Sequence, residues 1–574
     1  MAAEHHTDGG SRRQLHARWL GTVPYTEAWD LQTQLFAGTS DHLLLLEHPA
    51  VYTRGVRTDP ANLLVDPAQV GAEDVAVNRG GDITFHGPGQ IVGYPILNVQ
   101  GKRGGGMADT VAYVTKIEQT IIDCLARFNL NATRFDGYPG VWLDAGSPTA
   151  RKIAAIGVRL SRGRSMHGFA LNVNTDLGWF DHIVPCGIAQ HGVTSLAHEG
   201  ISSTAAVVAG HLAELVAEQF DMNLDWAGVT ERAASDADLS LFSRGAGPGE
   251  PVRPTKPSER TPDVGVPVRL KGRLADAGVE GGLSIGARKP EWMRVKLQTG
   301  PTFNELRRKS RNLGLVTVCE EAGCPNIYEC WNEGTATFML LGDRCTRACG
   351  FCLVDTRKPG PVDSGEPERV ATAVAQLGLD FAVLTMVARD DLDDGGAAVV
   401  ADTVEAIRSQ SPATGIEVLI SDLQGSAGAL DVVLGSRPDV LNHNIETVVS
   451  LQRAVRPSAS YARSLTVLAR AKRAGLKTKS GLIVGMGEDP SQVRQTLVDL
   501  ASVGVDIVTI GQYLRPTSHH LPIHRWWEPR EFDELKRFGE QDLGIPHIEA
   551  SPLTRSSHHA GSAARMLDPD PSLV

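Results

Sequence analysis

Apolar runs divide this chain into two patterned stretches and a gap. In the first, HLLLLEHP, GYPILNV, KIAAIGVRL and HGFALNVN have strand character and turn residues close by. From Met107 to Leu130, Val114, Ile117, Ile121 and Cys124 recur at three- and four-residue steps, which predicts a helix, and a second helix follows Ser203. The second stretch alternates more regularly. TATFMLL, FAVLTMV, IEVLI, DVLNHNI, KTKSGLIVG and VDIVTIGQY read as six strands with helical segments between them. In one of those helices Val370, Val374 and Leu377 form the inner stripe and Gly378 the stop. In another, Asp489 and Pro490 supply the cap and first turn for Val493, Leu497 and Leu500. Strands alternating with helices predict a parallel sheet curled into an open six-stranded barrel, with chemistry on loops at the C-terminal strand ends.

Between about Ala227 and Gly286 the periodicity disappears, and SRGAGPGEPVRPTKPSERTPDVGVPVR is dense in Gly, Pro and charge. The expected organisation is an α/β protein of two domains, 15–225 and 286–574, joined by a flexible linker over 226–285. A tether of that size has an r.m.s. span on the order of 40 Å. The 574 residues are 42% hydrophobic and 21% charged, which suits a globular chain too long for one ordinary domain. A net charge of −11 argues against nucleic acid or an anionic membrane as partner. The absence of a long apolar run or a secretory leader points to the cytoplasm.

The cysteines change the picture most. Six of the eight fall between Cys319 and Cys352, too uneven for a disulfide scaffold. Cys345, Cys349 and Cys352, spaced C-x3-C-x2-C, follow the first barrel strand. Three thiolates can hold three irons of a cubane and leave the fourth iron open. Zinc would want C-x2-C pairs, and a ferredoxin a fourth cysteine followed by proline. The loop resembles that of the radical S-adenosylmethionine superfamily. Cys319, Cys324 and Cys330 make a second set in CEEAGCPNIYECW. With RDDLDDGGA, HNIETV, VRPSASY, KSGLIVGMGE, TIGQYLRPTSHHLP and RSSHHA, residues from about Lys289 to Arg565 resemble lipoyl synthase. That resemblance implies a partial (β/α)6 barrel, two [4Fe-4S] clusters and S-adenosyl-L-methionine. It also implies sulfur insertion at C6 and C8 of a protein-bound octanoyl chain, with Ser557 completing the second cluster and a ferredoxin or flavodoxin as electron donor. Met386, Ser421, Leu423 and His558 depart from the family's commoner residues.

Of the other two cysteines, Cys124 lies on an apolar helix face and reads as core. Cys186, in IVPCGI, is a candidate nucleophile, and Lys152, 34 positions upstream, is a candidate partner that would depress the thiol pKa or act as base. Taken alone, Lys152 reads better as a solvated surface lysine. EHPAVYTRG, RGGDITFHGPGQIVGYPILNV, KIAAIGV, HGFALNVN and IVPCGI, in that order, resemble the octanoyl-[acyl carrier protein]:protein octanoyltransferase family over about Leu20 to Phe220. This implies the mixed α/β fold of biotin and lipoate ligases and a ping-pong mechanism. Cys186 would take octanoate from octanoyl-acyl carrier protein. Lys152 would help the acceptor lysine of a lipoyl domain, on a 2-oxoacid dehydrogenase E2 subunit or glycine cleavage H protein, to attack. Arg79, Gly80, Gly81, Asp82, Ile83, Thr84, Phe85, His86, Ala155, Ile156, Gly157, Gly168, Phe169 and Ala170 would line the acyl tunnel, with no role for the Asp82 charge. A ligase that forms an adenylate is the alternative within the fold. His86 and His167 carry no assigned proton transfer, and the pairs His5–His6, His519–His520 and His558–His559 read as exposed loop residues.

Overall fold

The computed structural model describes residues 12–99, 101, 109–188, 190–230, 273–284, 286–293 and 326–567. The chain forms two compact units, Met1–Glu231 and Arg232–Val574.

The first unit has twelve strands: β1 (Gln14–Thr22), β2 (Asp41–Glu47), β3 (Val51–Arg54), β4 (Glu73–Ala76), β5 (Thr84–His86), β6 (Gln90–Ile96), β7 (Thr133–Phe135), β8 (Tyr138–Leu143), β9 (Arg151–Ser161), β10 (Arg164–Asn172), β11 (Gly192–Val193) and β12 (Asn223–Gly228). Nine make a mixed sheet in the order β12-β1-β2-β6-β10-β9-β8-β7, with β11 on β9, and β4-β3-β5 form a small second sheet. The mixed sheet agrees with expectation. Helices Thr110–Ala126 and Ala205–Gln219 bury their apolar stripes on it through Ile117, Ile121, Val208 and Leu212. The first begins later than its periodicity suggested, because the Asp109 carboxylate accepts from Ala112 N–H and caps it there. Cys124 is fully buried, and burial pushes its thiol up to about 12.

β6 and β10 touch unusually closely. Gly93 faces Phe169, and a Cβ at Gly93 would stand 2.2 Å from that ring. Gly93→Ala is therefore expected to displace Phe169 and cost about 1–3 kcal/mol, read as a lower unfolding temperature of this unit.

The second unit holds one seven-stranded parallel sheet rather than the six strands expected. It runs linearly from β13 (Thr335–Leu340) through β14 (Phe381–Met386), β15 (Gly415–Leu419), β16 (Val440–Asn442), β17 (Lys477–Val484) and β18 (Ile507–Gln512) to β19 (His547–Ser551). β19, HIEAS, is short and only half apolar, so its pattern carries little signal, and pairing with β18 fixes it instead. Helix Ala560–Met566 packs Ala560 and Ala564 against Phe381, Val383 and Val440. Across three adjacent strands the Lys479 ammonium donates to Glu417 Oε2 (2.9 Å) and Asn442 Nδ2 donates to Glu417 Oε1 (2.7 Å), all fully buried.

Both ends of the expected linker are ordered. β12 runs to Gly228 because it pairs in parallel with β1. Residues 273–284 lie on the second unit: Leu274 and Val279 are buried, and Leu283 N–H donates to Ile523 carbonyl (2.6 Å). Two apolar residues in a polar stretch are enough to anchor it there. The composition-biased core of the linker, 231–272, lies outside the described residues.

Candidate functional sites

In the first unit, Cys186 occupies a tight turn. Pro185 fixes the entry and Gly187 (φ 71°) the exit, and Cys186 itself is left-handed at φ 57°, ψ 19°. Cys186 N–H donates to Ile83 carbonyl (3.0 Å) and Gly187 N–H to Val184 carbonyl (3.0 Å), so the half-buried thiol stands on a strained, pinned loop. Lys152 comes from the start of β9. There the β8 pairing slips by one between Val141–Ala154 and Trp142–Lys152, leaving Ile153 as a bulge. Ile153 and Ala154 both enter the core, and Lys152 and Ala155 both line the cavity. Lys152 is buried, with its ammonium 4.8 Å above the Trp142 ring, and makes no ion pair among the described residues.

Cys186 and Lys152 line one cavity of about 960 Å³. Twelve of the fourteen residues expected along the tunnel line it too: Arg79, Gly80, Gly81, Asp82, Thr84, His86, Ala155, Ile156, Gly157, Gly168, Phe169 and Ala170. Ile83 and Phe85 do not. β5 alternates, and these two turn away into the cluster of Tyr52, Phe180 and Ile183. Sequence reading missed Val92 and Tyr94, which lie on β6 within the quoted glycine-rich motif, and Tyr25, Thr110 and Val114, which reach the same cavity from distant segments. Only tertiary structure brings the last three there.

The rings deep in this cavity are neutral. Burial drives His86 well below its ordinary value, and its Nδ1 meets Gln90 Oε1 (2.7 Å). His167 falls to about 3, chiefly by burial and then by Arg79. Tyr25 rises to about 12 for the same first reason. His48 behind them falls to about 4, with Nε2 on the Tyr94 hydroxyl (2.7 Å). The unfolded chain therefore binds these protons first as pH drops. The first unit is expected to lose stability between its unfolded histidine value of 6.5 and about 4, by roughly 3 kcal/mol from His48 alone. A urea series read as a function of pH checks this, and constant stability through that window would contradict it.

In the second unit, Cys345, Cys349 and Cys352 sit on the loop after β13. Arg347, between the first two, donates to Asp390 (2.7 Å) and Asp422 (2.6 Å), which follow β14 and β15. His520 Nε2 meets the Cys352 carbonyl (2.9 Å), and Gly350 N–H donates to Val455 carbonyl (2.8 Å). Burial pushes Cys349 up to about 11 and Cys352 higher, the latter also by its neighbouring thiols. Three half-buried thiols on one loop fit a polynuclear cationic cluster, whose charge would stabilise all three thiolates. S-adenosylmethionine and iron–sulfur chemistry would be supplied here.

Of the second set, Cys330 is buried on helix Ile327–Asn332, whereas Cys319 and Cys324 lie outside the described residues. Ser557 is half-buried in the loop after β19, and the adjacent Ser556 hydroxyl is buried without a hydrogen-bond partner. His558 and His559 stack, ring centroids 3.8 Å apart, over the Glu329 carboxylate beside Cys330. Two histidines expected to be exposed are buried, His558 against Glu329 and His520 against the cluster loop. His5 and His6 lie outside the described residues. Of the other departures, Met386 is half-buried at the end of β14, and Ser421 Oγ accepts from Leu423 N–H (3.2 Å).

A cavity lined by a thiol and an amine, and a parallel sheet with a three-cysteine loop after its first strand, define a chain that joins two catalytic folds. The comparisons agree. Residues 24–216 match the lipoyl protein ligase A/B catalytic domain, 279–324 the N-terminal domain of lipoyl synthase, and 339–500 the radical SAM superfamily. A lipoyl synthase of Mycobacterium avium is 51% identical over 298 residues, 52% of this chain and 94% of that protein. One from Symbiobacterium thermophilum is 54% identical over 278 residues, 48% of this chain and 86% of that protein. A solved bipartite lipoate protein ligase with its E2 lipoyl domain, from Thermoplasma acidophilum, aligns over 39% of this chain and 89% of its own at 15% identity and a TM-score of 0.32. The chain belongs to the lipoyl synthase family, with a lipoyl-ligase-type catalytic domain fused ahead of it. Among the described residues no helix is long and apolar enough to cross a membrane.

Proposed function

We propose that the chain carries out two consecutive steps of lipoyl cofactor assembly, first attaching octanoate to a lipoyl domain and then thiolating the attached chain. The observation that carries the first step is the shared cavity of Cys186 and Lys152. The Cys186 thiolate attacks the thioester carbonyl of an octanoyl-acyl carrier protein. A C–S bond forms, the carrier's thiolate leaves and takes a proton, and an acyl-enzyme remains. The acceptor lysine of an E2 lipoyl domain or H protein then attacks that thioester. Neutral Lys152 removes the amine's proton, and Cys186 departs as thiolate with an amide formed. A nucleophilic thiol on a pinned turn favours transfer over adenylate-forming ligation, which needs none.

In the second unit Cys345, Cys349 and Cys352 would hold the cluster that binds and reductively cleaves S-adenosylmethionine. Cys319, Cys324 and Cys330 with Ser557 would hold a second [4Fe-4S] cluster, the source of sulfur for C6 and C8. Ser557 follows from motif position, and the orphaned hydroxyl of Ser556 argues for its neighbour. Ser556→Ala and Ser557→Ala separate the two by which one lowers the iron content. An electron donor of ferredoxin or flavodoxin type completes the set, and the work of a cytoplasmic enzyme suits it. Residues 15–225 and 286–574 would be the two catalytic domains, with 226–285 keeping the acceptor near both.

Anaerobic incubation with octanoyl-carrier protein and a lipoyl domain tests the whole. Mass spectrometry should find octanoylation without S-adenosylmethionine, and lipoylation only with it and a reductant. Absence of octanoylation would sink the transferase reading. The tether idea predicts that separately expressed halves, mixed at equal concentration, lipoylate more slowly than the fusion. Equal rates would end it.

A further inference from the structure

Arg79 is 7% exposed and lines the same cavity as Cys186. Nη1 donates to the carbonyls of Gly80 (3.1 Å) and Asp82 (2.8 Å), and Nη2 to the carbonyl and hydroxyl of Thr53 (2.7 and 2.8 Å). The fifth donor, Nε–H, is buried with no partner. No carboxylate pairs with the guanidinium among the described residues. Asp82, the nearest in sequence, spends one oxygen on Asp59 N–H and Ile83 N–H and the other on the Asn62 amide.

Holding a loop by its carbonyls explains four donors. It explains neither a buried full charge without a counter-ion nor an open N–H, both of which cost stability unless something arrives to meet them. The groups around it cannot do so. Tyr25, Tyr94, His86 and His167 are neutral, Lys152 and Arg57 are bases rather than anions, and the Asp82 oxygens are taken by Asp59 N–H, Ile83 N–H and the Asn62 amide. What remains is the reacting anion. Both Cys186 and Asp82 lie near enough to Arg79 for their charges to couple, and of the two only Cys186 has its reacting atom unengaged, since the Asp82 oxygens already accept three hydrogen bonds.

We propose, building on the transferase reading, that Arg79 is the permanent counter-charge of this site: it stabilises the Cys186 thiolate and then the oxyanion formed as the thioester carbonyl's π pair moves to oxygen. This divides labour that one lysine cannot perform alone. Lys152 must be neutral to accept the acceptor amine's proton, and a neutral amine does nothing for a thiolate. With Arg79 supplying the charge, Lys152, held against the Trp142 ring and with no carboxylate partner among the described residues, is left to act as the base.

The test uses the full chain with its clusters loaded, comparing wild type, Arg79→Gln, Arg79→Lys and Lys152→Met. Iodoacetamide alkylation of the Cys186 peptide is followed by mass spectrometry across pH, beside the rate of octanoyl adduct formation. Arg79→Gln should raise the alkylation midpoint by about one pH unit and slow acylation about 100-fold. Arg79→Lys should restore most of the midpoint, and Lys152→Met should leave it in place while blocking transfer onward. Unfolding temperature verifies that each variant is folded. An unchanged midpoint in folded Arg79→Gln, or a midpoint that moves with Lys152→Met instead, overturns the assignment. Failure of the wild type to form any Cys186 adduct would sink the transferase reading and leave the alkylation comparison standing.

Discussion

Cys186→Ala is expected to abolish octanoyl transfer, by about 10³-fold or more, and to leave sulfur insertion into a pre-octanoylated lipoyl domain at wild-type rate. The asymmetry follows from the division into two units. Cys186 belongs to a turn braced by Ile83 and Val184 of the first, and its side chain is half-buried rather than packed in a core. Removing one sulfur there takes away the nucleophile without opening a cavity in either hydrophobic cluster. Mass spectrometry of the acceptor reads both steps in one vessel, as a gain of an octanoyl group and then of two sulfurs. Loss of both steps would mean that the substitution acts through folding, and retention of the first would mean that Cys186 is not the nucleophile.

Lys479→Met is expected to destabilise the second unit by about 3–5 kcal/mol, and Glu417→Gln by less. Lys479 and Glu417 are fully buried, one on β17 and the other on β15, with Asn442 of β16 between them. Removing the ammonium leaves a carboxylate with one amide donor in a site without solvent. Replacing the carboxylate by an amide keeps a hydrogen-bonding group opposite the lysine, though it strands the ammonium's charge. The double change Lys479→Met with Glu417→Leu, which removes both charges, should recover much of the loss, and denaturant unfolding of the three variants checks the order. A Lys479→Met protein as stable as wild type would show that the pair contributes nothing to the barrel.

The parallel sheet was legible because most of its strands carry short apolar runs and alternate with capped helices, although β15, β16 and β17 also bury Glu417, Asn442 and Lys479. Capping at Asp489 and the stop at Gly378 both stand where the sequence put them, the latter left-handed at φ 60°. β19 was not legible, since HIEAS has no such run. In the first unit the tunnel residues came from contiguous motifs, but Ile83 and Phe85 show how a motif overreaches. Adjacent residues of one strand face opposite ways, and a string of letters does not say which way is in. Tyr25 and Tyr94 could not have been chosen from sequence, because nothing local marks either as facing a cavity. The buried state of Arg79, unpaired at Nε, was equally invisible, since it depends on where Thr53 and Asp82 present their carbonyls.

The bulge at Ile153 has a consequence of its own. Along a regular strand, parity alone determines which side of the sheet a side chain occupies, and Lys152 and Ala155 differ in parity. One residue between them goes uncounted in the ladder, which brings both to the cavity with Ile153 and Ala154 in the core between them. The position of the amine is thus a matter of arithmetic rather than of composition. Deleting Ile153 alone would make the ladder regular and leave Lys152 and Ala155 on one face, whereas straightening the bulge with every residue kept would turn the amine to the far face.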